Sequence, residues 1–507
     1  MAEISNLKQK ALDGVFWSYV SSFGTQILSI IPAMVLARLI SPEEYGLVAM
    51  AAVFSGIAYI LSDGGFGNAL YQKKDADHLD YCSVFYFNIV VCTFTYCIFF
   101  FLAPYCAAFF KMPQVTNIMR VSLLCLIINA FSGIHGIIFK KNLNFKIPAY
   151  RNIISQGAAA IIAIVLAFKG FGYWTLVIQG LLQTLFGCII NWLSRDWTPT
   201  LSFSFKRLSG MIGYGSKVYL IMIIDYAFNK AYDVTIGKFY SASSLSFYNR
   251  AYSTAGIFLG TFTGVMQSVS FPAFVQIQDD KERTRINADR LVQLACFFIF
   301  PVMLSLIAIA EPIFHFLYSS KWDSAIPLFR LVCIWALFKP ITDALNGVIM
   351  ASGHASVGLF NSIFSKFLIV ITIASTWNLG ISYMIGGQIF AIIIQVLYYS
   401  YFSNKFFSYS ILDILKGIYK YIIISIIIAS SIFIFDSILS SFIHQFNPIE
   451  YLESGIRTIV DILFCICLFV FINKKAKSEA LFLLVSLLSE RRNKYTNLLI
   501  KYLTSST

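Results

Sequence analysis

Ala37-Arg38-Leu39-Ile40-Ser41-Pro42-Glu43-Glu44-Tyr45-Gly46 is a short charged bridge between two long apolar runs. The run before it opens at Val15, and the run behind it continues to about residue 63. Each is long enough to cross a hydrocarbon core of about 30 Å as a helix. The first run is too long for a signal-peptide core and is followed by Arg38 instead of a small-residue cleavage site, so it reads as an uncleaved first span. A chain that leaves lipid at Arg38 and re-enters it behind Glu44 is a membrane hairpin.

The same alternation continues along the chain. Only 12% of the 507 residues are charged and 58% are hydrophobic, whereas a soluble domain has about a quarter charged. Apolar segments are expected at about 14–38, 44–63, 83–106, 117–138, 151–168 and 172–193. Six more follow at about 212–237, 244–271, 289–311, 327–351, 356–376 and 380–402, and two last ones at about 419–438 and 456–473. The expected fold is all-α and integral to the membrane, with about fourteen transmembrane helices. The tail carries Tyr495, Leu498, Leu499 and Tyr502 at i, i+3, i+4, i+7, the pattern of an interfacial amphipathic helix.

The net charge of +13 could suggest a nucleic-acid partner, but the basic residues sit in the short gaps between apolar runs. Assigned to alternate sides of the fourteen-segment map, 25 of the 38 lysines and arginines fall on the side of the N-terminus, 6 on the other, and 7 inside segments. A miscounted helix would scramble that split, so both termini are expected in the cytoplasm of a multi-pass membrane protein. The expected surroundings are membrane lipids and no nucleic acid.

Compared with itself, the chain repeats. Ala37-Arg38-Leu39-Ile40-Ser41, Tyr45-Gly46 and Ala51 face Gly237-Lys238-Phe239-Tyr240-Ser241, Leu245-Ser246 and Ala251. Gln72 and Asp75 face Gln276 and Asp279, Pro104 faces Pro312, Arg120 faces Arg330, and Gly172 faces Gly380. The matches keep their order while the offset drifts slowly. Two six-helix lobes of the same orientation are expected, residues 1–205 and 206–405. Two extra helices in 406–473 and a basic cytoplasmic tail, 474–507, complete the chain. Transporters use such parallel repeats around a midplane site.

Several charges fall where lipid disfavours them: Lys217 and Asp225 in the seventh segment, Lys339 and Asp343 in the tenth, Lys366 in the eleventh, and Arg250 in the outer part of the eighth. Five central charges facing lipid would together cost roughly 12 kcal/mol or more, so they face protein or water. Lys339 and Asp343 are four apart and can pair, as can Arg457 and Asp461, the latter read as structural. Lys217 and Asp225 are about 12 Å apart along an axis, and Lys366 has no acid in its own helix. Seven interior cations outnumber the interior aspartates, which suits an anionic cargo. Lys217, Asp225, Arg250, Lys339 and Lys366 are the candidate binding residues, Lys339 sharing its face with Asp343 and Asn346. The same residues also admit simple structural pairing.

Other chemistry is missing from the sequence. There is no Walker A loop, GxSxG or HExxH, and the ten cysteines lie almost wholly in apolar runs, Cys465 and Cys467 lacking metal-site spacing. No catalytic residue, metal or cofactor is expected.

The bridge quoted first also resembles the first periplasmic turn of Wzx-type polysaccharide flippases, of the multidrug/oligosaccharidyl-lipid/polysaccharide (MOP) exporter superfamily. So do Asp63-Gly64-Gly65-Phe66-Gly67-Asn68-Ala69-Leu70-Tyr71-Gln72 and the segment from Phe247-Tyr248-Asn249-Arg250-Ala251 to Phe271-Pro272-Ala273-Phe274. The resemblance covers roughly residues 10–405 and is nearest the lipopolysaccharide and colanic-acid exporter branch. It implies a MATE-like pair of lobes around a cationic cavity and an undecaprenyl-diphosphate-linked oligosaccharide as cargo. A polysaccharide polymerase and chain-length proteins would be further partners. Arg250 falls on a basic position of the family motif. The competing readings are a drug/cation antiporter of the same superfamily, for which an acidic pocket and about twelve helices are expected, and an oligosaccharide polymerase or ligase, for which a large periplasmic loop is expected. The longest outer gap, about 440–455, offers no lysine or arginine. A purely structural scaffold would leave the central charges unexplained.

Overall fold

The computed structural model describes the backbone of residues 2–63, 66–73, 75–194, 197–444 and 450–475. The side chains of 2–16, 210–221, 261–270, 471–475 and some isolated positions lie outside the described residues. Lys217 and the expected tail helix therefore lie outside them too. Every element among the described residues is helical, and the chain divides into two compact units, Met1–Asn249 and Arg250–Thr507.

The first unit contains α1 (Ala2–Leu39), α2 (Pro42–Asp63), α3 (Phe66–Gln72), α4 (His78–Phe110), α5 (Gln114–Ser122) and α6 (Leu124–Ala130). It continues with α7 (Gly133–Lys141), α8 (Lys146–Phe168), α9 (Trp174–Leu193), α10 (Phe205–Asn229), α11 (Ala231–Phe239) and the opening turns of α12 (Ala242–Gln276). The second holds the rest of α12 with α13 (Lys281–Ala308), α14 (Ala310–Tyr318), a 3-10 turn (Ser320–Ala325) and α15 (Ile326–Ala351). After these come α16 (Ala355–Thr376), α17 (Ile381–Phe407), α18 (Ile411–His444) and α19 (Glu450–Lys475). Among the described residues ten helices are long and apolar enough to cross a membrane, or eleven if a bent pair counts as one span. Phe94, Phe101, Tyr105, Phe168 and Leu193 are exposed on their surfaces, as lipid-facing side chains should be.

Each expected segment falls on helix, but three are interrupted. The fourth is α5, α6 and α7, with a bend of 45° before Gly133; Ser132-Gly133 stands at that bend, a pair that commonly kinks helices. The seventh breaks at Lys230 between α10 and α11, and the ninth ends at Ile309 before α14. The expected outer gap at 440–455 is narrower than the sequence suggests, because α18 runs on to His444 and α19 starts at Glu450.

The bridge at 37–46 folds as its residues dictate. Ser41 Oγ accepts from the Glu44 N–H at 3.3 Å, and Glu44 Oε2 accepts from both the Ser41 N–H and Oγ at 3.0 Å, a reciprocal cap that satisfies donors at the start of α2. Glu44 Oε1 also accepts from the Tyr173 N–H at 3.1 Å, tying this turn to the start of α9. Gly172 has φ +54°, and a Cβ there would overlap Glu44 Oε1, so shape and backbone both call for glycine. Ser241, the repeat mate of Ser41, caps α12 in related fashion, accepting from the Ser244 N–H at 3.1 Å and donating to Ser244 Oγ at 2.9 Å.

A polar cluster anchors the other end of α4. Asp80 is fully buried, with Lys73 Nζ at 2.5 Å and Arg207 at 3.4 Å, and closes a capping box with Asp77. The Asp80 N–H, helped by Arg207, holds the Asp77 carboxyl below the ordinary carboxylate range.

Candidate functional site: a lysine–aspartate cavity between two helix faces

Tyr252, Ala255, Gly256, Leu259 and Gly260 recur every three or four residues along α12, so they share one face. Val332, Trp335, Ala336, Lys339 and Asp343 do the same along α15. The two faces line a half-open cavity of about 280 Å³ within the second unit. A Cβ added at Gly256 or Gly260 would meet nothing within 4 Å, so these positions keep the cavity open by lacking side chains.

Lys339 and Asp343 form an ion pair at i, i+4 in its wall, their side chains 36% and 16% exposed. The pairing admitted by the sequence is thus realised, inside a cavity that leaves the ammonium partly accessible. Pro340 has no N–H to give the Ala336 carbonyl, so the helix loses one internal bond in this wall. Tyr252 donates to Gln388 Oε1 of α17 and lies 5.7 Å from the Trp335 ring. The wall is therefore two aromatic rings, one cation, one carboxylate and two bare glycines. That set can hold an anionic group at the lysine and an apolar or ring surface beside it.

The other candidates take separate positions. The Arg250 guanidinium lies over the rings of Tyr318 and Trp322, at 4.7 and 4.6 Å from their centroids, half-buried. Lys366, on α16, donates to Ser362 Oγ at 3.3 Å and is half-buried. Asp225 is half-buried on α10 in the first unit. Of the four candidates whose side chains are described, Lys339 alone lines the cavity. Asn346, on the same face of α15, has its Oδ1 beside Gly358 of α16.

One pairing expected from spacing is corrected. Arg457 does not pair with Asp461; its Nε and one terminal nitrogen each meet an Asp436 oxygen at 2.8 Å, and Glu453 lies at 3.6 Å. The bidentate fit to a carboxylate on α18 wins over the i+4 neighbour because it offers both oxygens in the plane of the guanidinium. Elsewhere, Lys230 pairs with buried Asp233 at 2.5 Å, and Arg120 donates to the Phe100 carbonyl at 3.3 Å.

The cavity escaped the sequence reading because that reading followed charge. Its glycines and aromatics carry none. The signal was present as Tyr252, Gly256 and Gly260 at i, i+4, i+8, with Trp335, Lys339 and Asp343 at matching intervals.

Comparison with known proteins agrees with this architecture. The lipopolysaccharide biosynthesis protein WzxC of Escherichia coli (strain K12) is 23% identical over 393 residues, 76% of this chain and 76% of its own length. The succinoglycan biosynthesis transport protein ExoT of Rhizobium meliloti (strain 1021) is 26% identical over 320 residues, 63% of this chain and 65% of its own. Among solved structures, lipid II flippase MurJ in an inward closed conformation gives a TM-score of 0.69 at 15% identity, covering 92% of this chain and all of that one. An inward-facing MATE transporter of the MOP superfamily gives 0.55 at 16% identity, covering 75% and 95%. These two likenesses show a fold shared with those two transporters. Residues 35–327 match the family model for polysaccharide biosynthesis proteins, more than half the chain, and the protein belongs to that family.

Proposed function

We propose that the protein is a flippase that moves undecaprenyl-diphosphate-linked oligosaccharide from the cytoplasmic to the periplasmic leaflet, for O-antigen or exopolysaccharide synthesis. The observation that carries this reading is the family match over residues 35–327. The relatives named for lipopolysaccharide biosynthesis and succinoglycan transport support it. In this reading the chain has fourteen spans, two six-helix lobes at 1–205 and 206–405, and two further helices in 406–473. The basic tail at 474–507 and the N-terminus are cytoplasmic, and the membrane is the bacterial inner membrane. Lys339 meets the diphosphate, Tyr252 and Trp335 present ring faces to sugar or prenyl carbon, and Lys217, Asp225, Arg250 and Lys366 complete the path. The protein performs no covalent chemistry; polymerase and chain-length proteins act on what it delivers. The excess of interior cations over interior aspartates in the sequence favours an anionic cargo over the cationic drugs of an antiporter.

The test is a clean deletion in a strain without a redundant flippase. Lipid-linked oligosaccharide should accumulate on the cytoplasmic leaflet and the surface polysaccharide should vanish; normal polysaccharide would overturn the proposal. Single cysteines replacing Lys141 and Lys475 should resist an impermeant maleimide from outside, and those replacing Ser319 and Glu450 should react. Outside labelling at 141 would refute the topology.

A further inference from the structure

Asp461, midway along α19, is fully buried, and neither carboxylate oxygen has a hydrogen-bond partner. The charged groups that act on it are Asp436 of α18 and Arg457, one turn earlier on its own helix. Arg457 is already committed to Asp436 through two bonds of 2.8 Å and has Glu453 at 3.6 Å. Asp436 and Glu453 are themselves buried. From α14, which packs on α19, Glu311 adds a further negative charge within reach of Arg457. From α13, neutral Ser305 meets Cys465, one turn beyond Asp461, at 3.2 Å. One guanidinium therefore faces two bound carboxylates before Asp461 is counted.

An ionised Asp461 would be a buried anion with no donor and with Asp436 beside it, a cost of several kcal/mol in a low-dielectric interior. A proton removes that cost and changes the chemistry. The carboxylic acid becomes a donor, and the Asp436 carboxylate, with two of its roughly four acceptor sites used by Arg457, retains capacity to receive it. A metal cation is a poorer occupant, because no group of three or more His, Cys, Asp or Glu among the described residues is arranged to hold one.

We propose that Asp461 and Asp436 form a proton-binding carboxyl pair, with Asp461 carrying the proton and Asp436, bound by Arg457, accepting its hydrogen bond. The site lies in the last two helices, beyond the repeated part of the chain, and does not depend on what the protein transports. Two carboxyls sharing one proton is the expected state when like charges are brought together away from water.

The experiment is infrared difference spectroscopy on the full-length protein in lipid nanodiscs, at pH 7 in potassium chloride. Wild type minus Asp461→Asn should show the carbonyl stretch of a protonated carboxylic acid, shifting down in heavy water. A difference spectrum showing only lost ionised-carboxylate bands would overturn the proposal. Asp436→Asn provides the second arm should Asp461→Asn fail to assemble. It should move the same acid band by changing its acceptor, and an unmoved band would refute the pair. Exchanging potassium for sodium should leave the band in place; its loss in sodium would mean that a metal cation displaces the proton, and would overturn the assignment.

Discussion

Neutralising Lys339 alone, or together with Asp343, separates a cargo-binding lysine from a merely structural one. In Lys339→Met the Asp343 carboxylate, 16% exposed, loses its counter-ion. Breaking a fully buried pair from one side costs about 3–5 kcal/mol, but the lysine is 36% exposed and cavity water screens the orphan. We expect about 1–3 kcal/mol after that discount. Lys339→Met/Asp343→Asn removes both charges and should regain most of the stability, since deleting both partners is nearly neutral. Transport should respond differently. A charge-assisted bond to a phosphate oxygen contributes about 1.5–3 kcal/mol, so losing it lowers export roughly 10- to 150-fold, and restoring the fold does not restore it. The assay is surface polysaccharide in a deletion strain, normalised to protein in the membrane, beside thermal unfolding followed by tryptophan fluorescence. Wild-type export from the double variant would show that Lys339 only balances Asp343, and the cavity would no longer be the cargo site.

Three more substitutions probe the same structure. Gly256→Leu, at a position where an added Cβ meets open space, should fill the cavity and abolish export at normal expression; undiminished export would show that cargo does not enter there. Lys366→Ala should remove most export while leaving the fold intact, as read by membrane level and detergent unfolding; full export would take this lysine out of the path. Arg457→Met leaves Asp436 and Glu453 without their guanidinium and should cost about 3–5 kcal/mol, seen as a lowered unfolding midpoint; an unchanged midpoint would refute the bidentate pair as a structural element.

The helices were legible because lipid makes a simple demand of sequence: long apolar runs between charged turns. The Arg38–Glu44 bridge shows this well, since its serine and glutamate also spell the cap that the structure contains. The interruptions were less legible. The bend before Gly133 and the break at Lys230 fall at short polar clusters, Asn129 with Ser132 and Asn229 with Lys230, that a window long enough to find a span averages away. Pairing was half legible. Lys339–Asp343 follows from i+4 spacing, whereas Arg457 reaches across to Asp436 on the preceding helix, and no periodicity within one helix reports which neighbour stands alongside. Packing decides that, and it also left Asp461 without a partner.

Glu44 receives the Ser41 N–H and Oγ on one oxygen and the Tyr173 N–H on the other, with Gly172 beneath. Positions 44 and 172, far apart in the chain, therefore behave as a single inherited character. With glutamate at 44, a side chain at 172 would push Glu44 Oε1 off the Tyr173 N–H and lose that tie. Once the acid is replaced by a shorter residue, the left-handed backbone at 172 can accept asparagine. In aligned relatives, asparagine at 172 should then occur only on backgrounds that have already lost the acid at 44, which gives the two substitutions an order in descent.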